Sequence, residues 1–356
     1  MKIQKLHAQN FRNLTNLDLN PGQDFIILVG PNGIGKTSVL ESIYYSSLLQ
    51  AFPGGKSWEL IQFDQDHFRV EVTTDANVLE FYYGRRSEKN YVRSQSVDGV
   101  KKRASDVIGV VPTVTFLPAD LNLLALSPSV RRAYLDNTLL QLEPRYEETL
   151  ISYTKTLSQR NELLGRIRQG EAGESELDVW DEKLIEFAAP ILSAREQLVD
   201  RFNTDLEQRY EQVTGSSRDL IFAYIAPYQD NSEPVEDVLA RRRNDDIASA
   251  ATSVGPHRDD WRIEDNEGRN LARFLSRGEQ RSVILCLKLK EFDLLQETQN
   301  TTPILLLDEL LAELDATRRK EVVDHIPPGT QLFLTTTSLD EVPEHVHKQA
   351  QIVKLA

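Results

Sequence analysis

The stretch GPNGIGKT at residues 30–37 constrains this chain more than any other, because it matches the phosphate-loop pattern G-x-x-x-x-G-K-[ST]. A short apolar run, QDFIILVG, leads into it, and a helical pattern follows from Thr37 to Gln50. This strand–loop–helix order lets glycine-rich backbone surround a phosphate with inward N–H groups, while the helix start adds positive potential. The stretch therefore predicts an α/β domain that holds a nucleotide.

Two side chains of the loop are expected to act on that nucleotide directly. Lys36 should reach the β- and γ-phosphates, and Thr37 should supply a hydroxyl to Mg²⁺. An ordinary glycine turn is the alternative, and the flanking strand and helix patterns argue against it. The remaining residues expected to contact the nucleotide belong to the same loop: Gly30, Asn32, Gly33, Gly35 and Ser38.

A second motif, ILLLDE at residues 304–309, supplies the acidic side chains that a phosphate loop alone lacks. Four apolar residues predict a buried strand, and Asp308 at its tip is expected to order the metal through water. Glu309 is placed to orient or polarise the attacking water. An apolar strand ending in acids is often merely structural, so this prediction depends on the pairing with the phosphate loop.

A third motif, LSRGEQ at residues 275–280, narrows the class of nucleotide site. Ser276 and the backbone N–H groups near Gly278 would form an anion-binding helix start, although the stretch also fits a plain serine cap. The motif resembles the signature of ABC-type ATPases, in a variant form with Arg277 between serine and glycine. The resemblance implies a site shared by two subunits, in which the serine of one covers the γ-phosphate held by the other.

AELD at residues 312–315 resembles the D-loop of the same superfamily, with Asp315 near the subunit interface. The opening pattern Leu6-x-x-x-Asn10-Phe11-Arg12-Asn13 resembles the SMC-like branch, in which an early arginine lies near the nucleotide phosphates. Arg12 is therefore expected at the nucleotide.

Two longer stretches resemble one family within that branch. FLPADLNLLALSPSVRRAYLD at residues 116–136 is similar to the segment that leads from sheet to helical arm in the RecF DNA-repair protein family. TSVGPHRDDW at residues 252–261 is similar to the T-x-x-G-P-H-R-D-D run of that family. The order of motifs, the short arm and the length agree, so the chain is identified as a member of the RecF family.

Membership implies an ATP-dependent homodimer with Mg²⁺ that binds duplex, gapped or junction DNA and hydrolyses ATP weakly in a DNA-dependent manner. It also implies a role in DNA repair, replication-fork maintenance and the SOS response, in which RecO and RecR help RecA to load on gapped DNA. ATP would then shift a two-state equilibrium rather than drive movement.

The chain departs from the ABC pattern at two positions. The usual Q-loop glutamine is missing, and Asp120 is a candidate for its contact with Mg²⁺. The usual switch histidine is also missing from TTTS at residues 335–338, where Thr336 is a candidate for the γ-phosphate contact. His257 and Arg258 fit either a structural link between arm and sheet or a contact with phosphate or a partner.

The formal net charge of −14 makes nucleic acid a poor guess from composition alone, yet basic residues cluster locally. They are either solvated surface charges or a track for DNA phosphates. Cys286 is the only cysteine, which excludes an intramolecular disulfide and a CxxC zinc clasp, and we expect a cytoplasmic protein. The clusters comprise Arg85, Arg86, Lys89 and Arg93; Lys101, Lys102 and Arg103; and Arg241, Arg242 and Arg243.

Periodicity predicts an α/β fold: an ABC-type ATPase head with a mixed β-sheet, plus an inserted α-helical arm. We expect the head in residues 1–130 and 246–356 and the arm in residues 131–245. Three other functions remain to be considered: the nucleotide-binding subunit of an ABC transporter, a small-molecule phosphotransferase, and an SMC-type chromosome bridge. The arm argues against the last, because a helix of roughly 35 residues reaches only about 50 Å.

Overall fold

The computed structural model describes residues 1–88, 90–228 and 233–355. Backbone contacts divide the chain into two compact units, so each is described by itself. Unit 1 comprises Met1–Leu123, Gln208–Arg218 and Leu275–Ala356, and unit 2 comprises Leu124–Glu207 and Asp219–Phe274.

Thirteen strands are found in the described residues. In chain order they are β1 (Ile3–Phe11), β2 (Leu14–Leu19), β3 (Phe25–Val29), β4 (His67–Thr74), β5 (Val78–Ser87), β6 (Asn90–Val97), β7 (Val100–Lys102), β8 (Thr113–Phe116), β9 (Ile221–Ile225), β10 (Asp260–Glu264), β11 (Ile304–Leu307), β12 (Leu332–Thr336) and β13 (Ala350–Lys354).

Nine α-helices lie between them in the same part of the chain. They are α1 (Lys36–Leu48), α2 (Pro128–Leu142), α3 (Tyr146–Arg168), α4 (Asp178–Asn203), α5 (Leu206–Thr214), α6 (Val235–Ser249), α7 (Arg277–Gln299), α8 (Ala316–Asp324) and α9 (Glu344–His347).

Unit 1 contains a parallel sheet that positions the phosphate loop. Its order is β13-β3-β12-β11-β8, and its strands pair in parallel. Every residue of β11 is buried, as its apolar sequence ILLL predicts for a strand covered on both faces. Because parallel strands end at the same edge, the loop after β3 and the acids after β11 meet there.

The second sheet of unit 1 is antiparallel, in the order β2-β1-β4-β5-β6-β7. Its inner face packs on α1 through aromatic rings: Tyr45 lies 5.0 Å from Phe68 and 6.3 Å from Phe11, centroid to centroid. Helix α1 also contacts β8 and β12 of the parallel sheet. This helix therefore lies within the core of unit 1, and buries Glu41, Ser42, Ser46 and Ser47 as well as its apolar residues.

Unit 2 is mainly helical, and α3 packs along α4. Leu163, Leu164 and Ile167 of α3 form a core with Leu177, just before α4 begins. The two strands β9 and β10 pair antiparallel beside these helices, with Trp261 fully buried.

The predicted fold class is confirmed, with the parallel and antiparallel strands in separate sheets. LHAQNFRNLTNLDLN forms parts of β1 and β2, which are joined by a turn, and the helical region that begins at Asp178 breaks between α4 and α5. In WRIEDNEGRN, β10 pairs with β9, and Glu264 also forms an isolated antiparallel bridge with Asn270 across a turn. None of the helices in the described residues is long and apolar enough to cross a membrane.

Candidate nucleotide site

The phosphate loop and the ILLLDE motif meet through a hydrogen bond between Thr37 and the carboxylate of Asp308. Thr37, in the first turn of α1, donates its hydroxyl to the carboxylate of Asp308, with its Oγ1 2.9 Å and 3.0 Å from the two oxygens. Asp308 follows β11 directly, and its N–H donates to the carbonyl of Phe116 at 3.0 Å, which fixes where the carboxylate begins. Hydroxyl and carboxylate oxygens are the hard donors that Mg²⁺ accepts in proteins.

Lys36 is buried at the base of the loop, where it forms hydrogen bonds and an ion pair. Its Nζ donates to the carbonyls of Gly30 at 2.8 Å and Pro31 at 3.1 Å. The same nitrogen lies 3.0 Å from Oε1 of Glu309. A phosphate entering the loop would therefore compete with Glu309 for this ammonium group, and would leave that carboxylate facing the nucleotide.

Thr335 organises both acids, which the sequence did not reveal. Its hydroxyl donates to Oδ1 of Asp308 at 2.7 Å and accepts the N–H of Glu309 at 2.8 Å. Glu309 has a left-handed backbone, with φ of 46°, a conformation that costs roughly 1–2 kcal/mol for a residue other than glycine. The contact from Thr335 holds that conformation in place.

Burial raises the pKa of Asp308, and the neighbouring charge of Glu309 raises it further. The hydrogen bonds from Thr335 and Thr37 and the charge of Lys36 act in the opposite direction. The carboxylate is only 7% exposed, so its charged form lacks water and depends on these few donors. A cation at this position would remove the penalty.

Asn13 connects the phosphate loop to the turn between β1 and β2, which was also not predicted. Its amide nitrogen donates to the carbonyl of Gly33 at 2.8 Å, and its Oδ1 accepts the hydroxyl of Ser38 at 2.7 Å. A Cβ on Gly35 would lie 3.1 Å from Oδ1 of Asn13, and Gly35 also has φ of 112°. Glycine is therefore required there by both close approach and backbone conformation.

Arg12 is held at the site by α1. Its Nε and Nη2 donate to the two carboxylate oxygens of Glu41 at 2.8 Å and 3.0 Å, and Nη1 donates to the carbonyl of Glu59 at 3.1 Å. The hydrogen bond to Glu41 raises the pKa of Arg12. A planar guanidinium fixed by a bidentate pair presents its charge in one direction.

Arg12, Asn13, Lys36, Thr37 and Glu309 line one open cleft of about 1260 Å³, whereas Asp308 and Thr335 are not among its lining residues. The phosphate loop forms one wall, while the opposite wall comes from residues 58–66 and Arg85. Trp58 and Phe63 of that wall are exposed aromatic residues, and no motif had singled them out. The predicted residues lining the cleft are Arg12, Asn32, Gly33, Gly35, Lys36, Thr37, Ser38 and Glu309.

The signature serine begins α7, as the sequence predicted for a helix cap. Its backbone N–H donates to Oε2 of Glu279 at 2.8 Å, and its Oγ accepts the N–H of Glu279 at 3.3 Å. Asp315 caps α8 by accepting the N–H of Arg318 at 3.0 Å. A Cβ on Gly278 would lie 3.5 Å from the guanidinium of Arg318. Among the described residues, Ser276, Gly278 and Asp315 do not line the cleft.

Asp120 and Thr336, the two candidates for the missing Q-loop and switch residues, make hydrogen bonds with residues other than Thr37 and Asp308. Asp120 caps its own turn by accepting the N–H of Leu117 at 2.8 Å, and its carboxylate lies 3.8 Å from Nζ of buried Lys288. Thr336 donates to Oε2 of Glu341 at 2.5 Å. Their roles toward Mg²⁺ and the γ-phosphate stay predictions, and each would require its present contact to be exchanged.

In unit 2, the GPHRDD stretch is tied to its own loop. His257 and Arg258 both donate to the carbonyl of Thr252, His257 from Nε2 at 3.0 Å and Arg258 from Nη2 at 2.8 Å. Nδ1 of His257 then accepts the hydroxyl of Tyr153 at 2.6 Å, so the neutral ring is satisfied on both sides. Burial lowers its pKa to about 4. The contacts of both residues therefore lie within unit 2, and their roles toward the sheet, phosphate or a partner stay predictions.

The basic clusters differ in their neighbours. Arg241, Arg242 and Arg243 each pair with carboxylates, at 2.6 Å, 3.2 Å and 2.5 Å respectively. Arg103 pairs with Asp106. Lys89 lies outside the described residues. Among the described residues of these clusters, Arg85 and Arg86 of β5 and Lys101 and Lys102 of β7 are exposed and have no carboxylate in salt-bridge range.

No group of three or more His, Cys, Asp or Glu residues in the described chain is arranged to hold a metal alone. Mg²⁺ commonly binds through one or two protein oxygens together with nucleotide phosphates. Thr37 and Asp308 are the residues here that would take that part.

Comparison with known proteins gives one consistent match. The family model described as RecF/RecN/SMC N terminal domain matches residues 2–355. The DNA replication and repair protein RecF of Agathobacter rectalis is 33% identical over 99% of this chain and 98% of its own length. That of Heliobacterium modesticaldum is 34% identical over 95% and 93%, respectively.

Solved structures agree with this. The chain is similar to the recombination mediator protein RecF-ATPrS in the RecFOR pathway, with a TM-score of 0.88 and 30% identity over 100% of this chain and 96% of that one. A RecF-ATP structure gives a TM-score of 0.83 at 30% identity, covering 96% and 93%. An SMC head bound to a domain of ScpA gives 0.50 at 14% identity over 99% and 94%, which is a likeness of fold alone.

Proposed function

The chain belongs to the RecF family of DNA replication and repair proteins, and on this premise we propose that it is an ATP-dependent DNA clamp. Two copies close over two ATP molecules, and the closed dimer binds duplex or gapped DNA. Slow hydrolysis then reopens it. ATP acts as a ligand that stabilises one of two states.

One observation carries the proposal: the cleft holds half of an ATPase site. Lys36, Thr37, Asp308 and Glu309 lie together, whereas Ser276, the residue expected to cover the γ-phosphate, does not line the cleft. It caps an exposed helix start instead. A second copy would complete the site, which supports a shared arrangement over a complete site in one chain.

In this site Lys36 exchanges Glu309 for the β- and γ-phosphates, and the buried loop keeps water away from that contact. Arg12 and the N–H groups of the loop neutralise the remaining phosphate charge. When bound, Mg²⁺ would be held by Thr37 and Asp308 and would stabilise the charge that develops during transfer. Glu309, released from Lys36, orients the attacking water.

The DNA surface that we propose is the β5–β7 side of the antiparallel sheet in unit 1. Arg85 and Arg86 lie near the end of β5, and Lys101 and Lys102 lie on the edge strand β7, beyond β6. Exposed cations without carboxylate neighbours can bind phosphates without first breaking an ion pair. Arg85 also lines the nucleotide cleft, which brings this side of the sheet next to bound ATP.

The partners that we propose come from the family. Two similar structures are described as recombination mediators of the RecFOR pathway. We therefore propose that this chain works with RecO and RecR at gapped DNA and promotes RecA loading there, with weak DNA-dependent ATPase activity.

The test is the mass of the protein and its affinity for a gapped duplex, each measured with and without ATP and Mg²⁺. We expect the mass to double with ATP and DNA binding to strengthen at least about 10-fold. Ser276→Arg should abolish both responses while leaving ATP bound to the monomer, because it blocks only the half contributed by the partner. Unchanged mass and unchanged DNA affinity in the wild-type protein would contradict the clamp.

The same variant separates the proposal from its rivals. A phosphotransferase with a complete site in one chain should keep its turnover when Ser276 is replaced by arginine. A transporter subunit should require a membrane partner, and should not respond to gapped DNA.

A further inference from the structure

A short turn at the rim of the cleft, residues 62–66, exposes an unusual set of side chains. Phe63 is 93% exposed. Asp64 and Asp66 are also exposed, and neither has a salt-bridge partner in the described chain. Burying a phenylalanine is worth about 1.5–3 kcal/mol, so a ring left in water beside a functional cleft marks a contact surface.

The turn is held in shape by backbone hydrogen bonds. The N–H of Gln62 donates to the carbonyl of Asn10 at 2.9 Å, and the N–H of Gln65 donates to that of Gln62 at 3.1 Å. The carbonyl of Asp66 accepts the N–H of Arg85 at 2.7 Å. Because this backbone is already ordered, a partner that docks on it loses little conformational entropy.

A complementary group stands beside the signature serine. Arg277 is the first residue of α7, is exposed, and has no carboxylate in salt-bridge range within the described chain. A cation at a helix N-terminus opposes the helix dipole, so its position there is unfavourable in the isolated chain. A carboxylate from outside would relieve this, and a guanidinium binds a carboxylate through two parallel hydrogen bonds.

We propose that the turn at residues 62–66 of one copy docks on Arg277 of a second copy, with Asp64 or Asp66 pairing with the guanidinium and Phe63 becoming buried. The inference rests on the proposed function, since it requires the signature side of one copy to close over the cleft of the other. In a two-fold dimer the contact forms twice. It would make a second copy of this same chain the preferred partner.

The nucleotide itself is a poorer occupant for this turn. Two carboxylates close to a triphosphate would repel it. The ring of Phe63 has almost no contact with the walls of the cleft, whereas Trp58 at 45% exposure is partly packed there. The turn is therefore suited to a protein surface that brings a positive charge.

Charge reversal on each side tests the pairing. Asp64→Arg with Asp66→Arg in one protein, and Arg277→Glu in another, should each weaken ATP-dependent dimerisation at least about 10-fold, measured by sedimentation. Mixing the two proteins should restore a dimer, because each of its two interfaces then joins arginine on one side to a carboxylate on the other. Misfolding of either variant cannot produce this recovery.

Phe63→Ser should weaken ATP-dependent dimerisation, and Ile151→Ser, which alters an exposed apolar residue of α3, is the matched control. Variants that dimerise normally, or a mixture that stays monomeric although both proteins bind ATP, would overturn the inference. Loss of ATP affinity in monomeric Phe63→Ser would overturn it in favour of a base-stacking role. If wild-type protein stays monomeric with ATP, the proposed function fails first.

Discussion

The carboxylate of Asp308 illustrates how a functional residue can reduce stability. Burial raises its pKa, so in the folded chain its charged form is disfavoured relative to the unfolded chain. The penalty is present at pH values above the folded pKa and disappears as pH falls through that value and the carboxyl group becomes protonated. Without a nucleotide, the charged carboxylate therefore reduces the stability of the folded chain.

Asp308→Asn is expected to stabilise the nucleotide-free protein and inactivate it. An amide can accept from Thr335 and donate to Thr37, so both contacts survive without the buried charge. We expect the Tm to rise by about 2–4 °C at pH 7, which corresponds to roughly 1 kcal/mol in the free energy of unfolding for a chain of this size. The rise should be smaller at lower pH. ATP hydrolysis should fall roughly 100-fold or more. Thermal melts measure the Tm, and phosphate release measures ATP hydrolysis. The control is Asp219→Asn, which changes an exposed aspartate. A lower Tm for Asp308→Asn would contradict the expectation.

The motifs predicted the central side chains but not their supports. Lys36 and Thr37 begin the helix that follows β3, and Asp308 and Glu309 follow β11; these parallel strands end at the same edge of the sheet, with β12 between them, and this topology brings the four residues together. The choice between Thr335 and Thr336 could not be made from sequence. Both are buried in β12, and successive side chains point to opposite faces, so only the strand's setting decides which hydroxyl meets Asp308.

Helix α1 shows why an element can be predicted with the wrong environment. The sequence predicted a helix here, and α1 in fact lies between two sheets and buries polar as well as apolar residues. Glu41 can be buried because Arg12, in the turn between β1 and β2, supplies a bidentate partner. Such long-range pairing leaves no periodic signal in the sequence of the helix.

The loop before β10 contains two titrating groups with opposite effects on stability. Burial raises the pKa of Asp259 to about 6, against hydrogen bonds from Tyr224 and Tyr228 and the charges of Arg195 and Arg132. Asp259 therefore contributes stability at low pH that is lost as pH rises from about 4 to about 6. His257, with its pKa lowered to about 4, contributes stability that is lost as pH falls through the range from 6.5 to 4. The two slopes oppose each other in the same window.

In Asp259→Asn, only His257 of these two groups should still contribute to the dependence of the free energy of unfolding on pH. Relative to wild type, the free energy of unfolding of the variant should rise between pH 4 and pH 6, by on the order of 2 kcal/mol, because only the wild type loses the Asp259 contribution there. Urea unfolding at several pH values measures the difference, followed by the fluorescence of Trp261, which is buried in unit 2. A difference independent of pH would contradict the shifted pKa of Asp259.

At the scale of the whole molecule, the net charge argues against binding of nucleic acid, whereas local clusters of basic residues favour it. A chain with a formal charge of −14 carries three basic runs of similar appearance in the sequence. The structure distinguishes them, because carboxylates distant in sequence, such as Asp178, neutralise the run at 241–243, whereas β5 and β7 keep exposed cations. Sequence alone could find the runs but not their partners.

Removing three charges from each place tests which one binds DNA. Arg86→Gln with Lys101→Gln and Lys102→Gln should weaken ATP-dependent binding to gapped duplex at least about 10-fold. Each lost phosphate contact means that fewer counterions are released from the DNA when the protein binds. The slope of log affinity against log salt concentration should fall by about 2–3 for three contacts. ATP-dependent dimerisation should remain, because these residues do not line the cleft.

The matched control is Arg241→Gln with Arg242→Gln and Arg243→Gln, which changes net charge by the same amount. Its arginines are already engaged by carboxylates, so their loss should leave the salt slope near that of wild type. Equal slopes for the two triple variants would mean that DNA responds only to overall charge. A larger loss for the control would place the DNA on unit 2. The expected order, in which the sheet edge dominates, follows because an unpaired surface cation can bind a phosphate without giving up a carboxylate.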